Sequence, residues 1–197
     1  MNFHLKEYKM LIKAFYLCIS LITFQLQAQM EMSVDPKTSE IKYDVIGNVV
    51  LLKGRVYRQS GAKAKEEELG IKFGIKAQDI ITTTKNSFIQ IKLVDGTTIT
   101  LAEKTRFNFQ EFKYTTKVNR NVEFNLMMGK IRINIPIKIE EGEINLKTKT
   151  ASFGIRGTRF LANQMLDTQG NSIEQIAILN GEVEVLSRGE KKSQMLK

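Results

Sequence analysis

Apolar and polar residues alternate with a period of two along most of this chain. Ile89, Ile91 and Leu93 fall on one face, with Gln90 and Lys92 between them. Ile99 and Leu101 repeat the pattern, then Phe107 and Phe109, then Val122, Phe124 and Leu126. In Ile131–Ile139 five isoleucines alternate with four other residues. A period of two puts alternate side chains on one side of a strand, so each run predicts a half-buried β-strand. Pro136 sits on the outward phase of that run and has no amide proton, so the strand is predicted to be an edge there or to bend.

Glycines punctuate the alternation. Units of turn followed by strand begin at Lys53-Gly54, Asp95-Gly96, Met128-Gly129, Glu141-Gly142 and Asn180-Gly181. Asp-Gly and Asn-Gly between apolar alternations predict hairpins. The intervals between these glycines are unequal, which excludes a solenoid of fixed repeat. Helical periodicity is nearly absent. Ala62–Leu69 could make one or two turns, but so short a helix is marginal in water and the stretch reads as a solvated loop. The predicted fold is all-β: a multi-hairpin β-sandwich, roll or barrel, with little helix apart from a signal peptide.

That signal peptide is read at the start. Lys6, Lys9 and Lys13 precede an apolar run of 11 residues, Ala14–Phe24, and Gln25–Ala28 ends in a small residue. The order is that of a secretory signal peptide, cleaved after Ala28. The run is shorter than the roughly 20 apolar residues a membrane span needs. Lipid attachment at Cys18 is disfavoured, because Phe15, Tyr16 and Leu17 stand where small residues belong. The expected organisation is a signal peptide at 1–28, a loose leader at 29–44, one β-domain at 45–186 and a frayed tail at 187–197. The mature chain is expected in the periplasm, with no integral membrane span.

Cleavage changes the inventory. It removes the sole histidine, His4, and the sole cysteine, and the chain has no tryptophan. Ser-His-Asp and Cys-His catalysis and Cys/His zinc sites are thereby excluded. No cofactor site is read. The net charge falls from +9 to +7, as three of 30 basic and one of 21 acidic residues are lost. Outside the cytoplasm such a balance favours acidic glycans, lipid headgroups or an acidic protein over nucleic acid. Glu66-Glu67-Glu68 and Glu140-Glu141 are the acidic clusters, and a carboxylate-based envelope enzyme is the catalytic alternative. Adjacent strand residues face opposite ways, and a helical run of three glutamates is usually solvated, so no pair is visibly placed at the separation the mechanism needs. Self-association through the Ile131–Ile139 edge is the structural alternative.

One stretch stands apart. In Thr150-Ala-Ser-Phe-Gly154-Ile-Arg156-Gly157-Thr158-Arg-Phe160 an arginine lies between two glycines inside a strand pattern. Such glycines mark a bulge or a close backbone approach. No helix follows Gly157, so a phosphate loop is not formed.

This stretch resembles the Val-Arg-Gly-Thr-x-Phe hallmark of the FecR domain family. Other pieces resemble that family in order: Gly47–Leu52, Ala77-Gln-Asp79-Ile-Ile-Thr-Thr, Ser87–Thr97 with its Asp95-Gly96 turn, Leu126–Ile133 around Gly129, and Ile178–Val185 around Gly181. The resemblance implies a β-rich periplasmic module, non-catalytic, that binds a protein or glycan partner in envelope signalling. The family's best-known members carry a cytoplasmic anti-sigma segment and a spanning helix, in whose place this chain has a leader. The residues carried over are Asp79, Asp95, Gly96, Gly129, Arg156, Gly157, Thr158, Phe160 and Gly181. Arg156 has two readings. In one it is buried against a turn carboxylate, Asp79 or Asp95; in the other it is exposed and grips an acidic group through its planar fork.

Overall fold

A computed structural model describes residues 32–34, 41–114, 119–136, 141–187 and 193–196. The chain divides into two compact units, Met1–Glu31 and Met32–Lys197, and every described residue lies in the second. The signal peptide read at 1–28 lies outside the described residues, as do Ile137, Ile139 and Glu140.

The described residues contain strands and no helix. The strands are β1 (Met32–Val34), β2 (Ile41–Tyr43), β3 (Gly47–Lys53), β4 (Val56–Ser60), β5 (Glu67–Glu68), β6 (Gly74–Ile75), β7 (Asp79–Thr83) and β8 (Phe88–Leu93). They continue as β9 (Thr98–Leu101), β10 (Arg106–Tyr114), β11 (Asn119–Asn134), β12 (Glu141–Lys147), β13 (Ala151–Leu166), β14 (Ser172–Ser187) and β15 (Gln194–Leu196). The all-β expectation holds. Two short strands, β1 and β2, lie within residues 29–44, and Ile41 pairs with Tyr114. β15 lies within residues 187–197 and pairs with Val183–Val185.

The hydrogen-bonded order β5-β4-β7-β10-β11-β12-β13-β14-β15 makes one layer. A second runs β6-β3-β8-β9 and joins the same β11, which continues to β13 and β14. The three long strands therefore belong to both layers. The first half of β11 lies between β10 and β12, and its last six residues lie between β9 and β13. β13 likewise starts against β12 and ends against β11, with β14 along its other side.

Chain reach requires these strands to bend. β12 runs parallel to the start of β11, with Glu141 beside Asn119. Seven peptide steps separate Asn134 from Glu141, a reach of at most ~25 Å. A straight 16-residue strand would put Asn134 ~50 Å from Asn119. The bend falls at Gly129, whose φ is +99°. A Cβ there would lie 2.5 Å from the Thr105 Cα and 2.8 Å from the Lys104 carbonyl oxygen. Thr105 Oγ1 instead accepts from the Lys130 amide at 3.0 Å and fixes the corner.

The sequence reading placed turns at Gly129 and Gly181, and both are corrected. Each lies inside a continuous strand at positive φ, so the glycine bends one strand and does not join two. Gly54 and Gly96, with φ of +73° and +87°, do sit in turns. The Ile131–Ile139 edge is corrected too. Ile131 and Ile133 pair with β9 on one side and β13 on the other, so no edge is free over 131–134. Pairing ends before Pro136, where the missing amide proton removes a ladder donor.

Both layers turn their apolar phase to one core. It joins Ile89, Ile91, Ile99 and Ile131 of one layer with Phe107, Phe124, Ile144 and Phe153 of the other. Phe107, Phe109 and Phe124 form an aromatic centre with ring centroids 5.0, 5.5 and 5.7 Å apart.

Gly129→Ala adds both backbone strain and a collision, and is expected to cost about 3 kcal/mol or more. Gly170→Ala, at φ +83° but with nothing within 4 Å, should cost only about 1 kcal/mol of backbone strain. Urea denaturation of both variants checks this, and equal losses would contradict a packed corner at Gly129.

Candidate functional site

The hallmark residues lie at structural joints. Asp95 caps the turn between β8 and β9. Its Oδ1 accepts from the Thr97 amide at 2.8 Å and its Oδ2 from the Thr97 hydroxyl at 2.9 Å. Gly96 supplies the positive φ the turn needs. The carboxylate is buried, and Arg120 Nη1 donates to its Oδ2. Both side chains are almost wholly excluded from water, at 0% exposure for Arg120 and 1% for Asp95. The sequence reading treated Asp95 as a turn residue and a candidate partner of Arg156, and overlooked Arg120. A signal was present: Arg120 shares the apolar phase of Val122, Phe124 and Leu126, so the strand period alone points it inward.

Asp79 repeats this design in the other layer. It is fully buried at the start of β7. Ser60 Oγ donates to it at 2.6 Å and the Lys76 amide at 2.8 Å, while Arg58 Nη1 lies 3.7 Å away. Arg58 also donates to the Gly74 carbonyl at 2.6 Å and to Glu67. Arg58 shares the inward phase of Val56, as Arg120 does that of Val122.

The glycine–arginine stretch is where β13 changes neighbours. Ile155 pairs with Ile144 of β12, whereas Arg159 pairs with Asn134 of β11. Between them the register against β14 slips, at Arg156/Arg159 and again at Arg159/Phe160. Arg156 stands opposite Glu182, and Gly181 of β14 bends at the same level with φ +97°. Thr158 is buried and donates from Oγ1 to the Glu182 carbonyl at 2.8 Å, tying the bulge across the ribbon. Phe160 resumes the buried phase beside Ile133. The side chains of Arg156 and Gly157 lie outside the described residues.

Several of these positions meet. The Ile135 amide donates to the Thr158 carbonyl at 3.3 Å, and Pro136 Cγ lies 3.3 Å from where a Gly96 Cβ would be. A line of contacts thus runs from Gly181 through Thr158 and Ile135-Pro136 to Gly96, Asp95 and Arg120. Asp79 and Gly129 anchor other joints. The arginines placed on the two buried carboxylates are Arg58 and Arg120.

This arrangement holds loops together and offers little for bond chemistry. Glu67 and Glu66 are about half exposed and meet Arg58 and Arg106. No group of three metal-ligating side chains occurs among the described residues. Asp167, at the β13–β14 turn, has its carboxyl held below its ordinary value. The Asn171 side-chain amide is the main cause, helped by the Asn171, Gln169 and Gly170 amides. It is a turn lock at the surface. No described helix is long and apolar enough to cross a membrane.

Removing one partner of a buried pair strands a charge. Asp95→Asn is expected to cost about 3–5 kcal/mol, and Arg120→Met combined with it should recover a large part of that loss. Glu67→Gln, which breaks a half-exposed pair, should cost under ~1 kcal/mol. Denaturant unfolding of the three variants checks the ranking. Equal small losses would show that Asp95 and Arg120 are not a buried pair.

A family model described as FecR protein matches residues 79–193. No curated protein matches the sequence. Two crystal structures, at 1.65 Å and 2.50 Å resolution, are similar to the chain; both are described as "a putative anti-sigma factor from Parabacteroides distasonis ATCC 8503". They are 23% and 19% identical to it, each with a TM-score of 0.46 and each aligned over 59% of this chain. The aligned part spans 50% of those proteins' length.

Proposed function

The chain belongs to the FecR protein family, and on that premise we propose that it is an exported, non-catalytic binding module of the cell envelope. It works in the periplasm, where it engages a protein partner and takes part in signalling. The family is one of envelope-associated signalling proteins, regulatory in character. The observation that carries the reading is the family match over residues 79–193, which spans most of the two-layer fold. The site chemistry supports it. The two carboxylates carried over from the family pattern, Asp79 and Asp95, are spent on internal arginines and hydrogen bonds. Residues 1–28 act as the cleaved leader, and 45–186 form the FecR-like domain. The positive balance of the mature chain makes an acidic glycan the second class of partner.

Fractionation of cells expressing the tagged chain, with sequencing of its N-terminus and a transcriptome of the deletion strain, tests this reading. The expected result is a periplasmic protein beginning at Gln29, whose loss changes expression of a limited gene set. A cytoplasmic protein with residues 1–28 intact, or an unchanged transcriptome, would contradict it.

A further inference from the structure

Charge on the outer surface differs between the layers. On the layer containing β10 and β12, outward carboxylates are mixed with cations: Glu111, Glu123, Glu143 and Glu184 stand there, with Lys113 beside Glu111 and Lys147 beside Glu123. On the other layer the strand segments 47–53, 88–93, 98–101, 129–134 and 159–166 contain no Asp or Glu, and the one acid of 172–179, Glu174, stands on the inward phase opposite buried Gln164. They carry Lys53, Lys92, Lys130, Arg132 and Arg159, all exposed. The neighbours of these residues along each strand, such as Ile91, Ile131, Ile133 and Phe160, are buried, so the five cations share the outward phase. None of the five forms an ion pair among the described residues. Arg58, Lys76, Arg106, Lys113, Arg120 and Lys147 do.

Between the cations the outward positions are hydrogen-bonding, small or apolar, with Leu51, Leu161 and Met165 exposed. Gln90 Nε2 donates to Thr100 Oγ1 at 3.2 Å, and Asn163 Nδ2 to Gln175 Oε1 at 3.1 Å. Beside Lys130, the Asn163–Gln175 pair with Leu161 and Ala177 lines a depression of about 250 Å³. Arg159 Nε donates to Asn134 Oδ1 at 3.0 Å, which orients the guanidinium and leaves its terminal nitrogens for an acceptor.

The spacing decides which anion fits. Lys130 and Arg132 are two residues apart on one strand, and Arg159 stands opposite Asn134, two residues further on. Cationic groups therefore recur at steps of about 7 Å along the strand direction. Alternate side chains of an extended polypeptide recur at the same interval. We propose that this acid-free face is a docking surface for an extended acidic segment of a partner protein, with carboxylates at alternate residues. The assignment rests on the reading of the chain as a binding module and names the chemistry of its partner.

Binding of two ten-residue peptides to the full 197-residue chain tests it, one alternating Glu and Thr and the other carrying the same residues in two blocks. Fluorescence anisotropy should show tighter binding of the alternating peptide, weakened by added salt. The variant Lys130→Glu/Arg132→Glu/Arg159→Glu should lose about tenfold or more in affinity. Lys63→Glu/Lys65→Glu, in an exposed loop, should stay within about twofold of the parent, since rim charges away from the contact act only through the long-range field. If the triple reversal lowers the melting temperature, Lys130→Gln/Arg132→Gln/Arg159→Gln serves in its place with the same expected direction. No binding, equal loss in both variants, or equal affinity for the block peptide overturns the proposal. Tighter face-dependent binding of an acidic polysaccharide or an anionic vesicle also overturns it, in favour of that ligand. Failure here with the transcriptome effect intact would sink this surface alone and leave the signalling module standing.

Discussion

Three strands have to serve two layers at once, and everything else in this fold follows from how they bend. β11, β13 and β14 are each 16 residues long. Their halves belong to different layers, and the short link from Asn134 to Glu141 forbids a straight β11. The chain meets the constraint with absent side chains and slipped register. Gly129 bends β11, Gly181 bends β14, and the register slips around Arg156 let β13 exchange β12 for β11. Bulges of this kind add twist and redirect a strand, which lets one ladder turn a corner between layers. The glycines around Arg156 thus have a local physical reason that needs no ligand.

Corners alone would leave the intervening turns free to shift. Two arginine–carboxylate contacts, one wholly buried and one partly so, limit that freedom. Arg120 of β11 reaches the β8–β9 turn through Asp95, so it links the two layers at one point. Arg58 of β4 does the same for the turn before β7 through Asp79 and Gly74. Buried pairs of this sort contribute less to net stability than to fixing one arrangement, because desolvation offsets much of their attraction. Their effect on function is indirect. The outward charges differ between the layers: acids and cations mix on one, while among the described strand residues only cations stand outward on the other.

Much of this was legible in the sequence. The inward residues of β8, β9, β10 and β11 follow from period two, and the Asp95-Gly96 turn from its dipeptide. The glycine–arginine stretch was correctly suspect as a bulge. The errors have a common physical origin. Asn180-Gly181 and Met128-Gly129 have the composition of turns, but positive φ serves a bend within a strand equally well, and only the partner strands distinguish the two. Asp79 and Asp95 stand in recognisable turn motifs, whereas Arg58 and Arg120 sit in strand runs with no flanking motif. An arginine on the apolar phase of a strand is the better sign of a buried charge. The acid-free face was open to inspection too, but it needs the layer assignment before five scattered cations become one surface.

The bent strands make the two layers one cooperative unit. Native-state hydrogen exchange measures this directly, residue by residue. Amides of β8 and β9 in one layer and of β7 and β10 in the other are predicted to open with the same free energy and the same denaturant dependence. Separate opening of the two layers, with β8 and β9 exchanging while β7 and β10 stay protected, would contradict it.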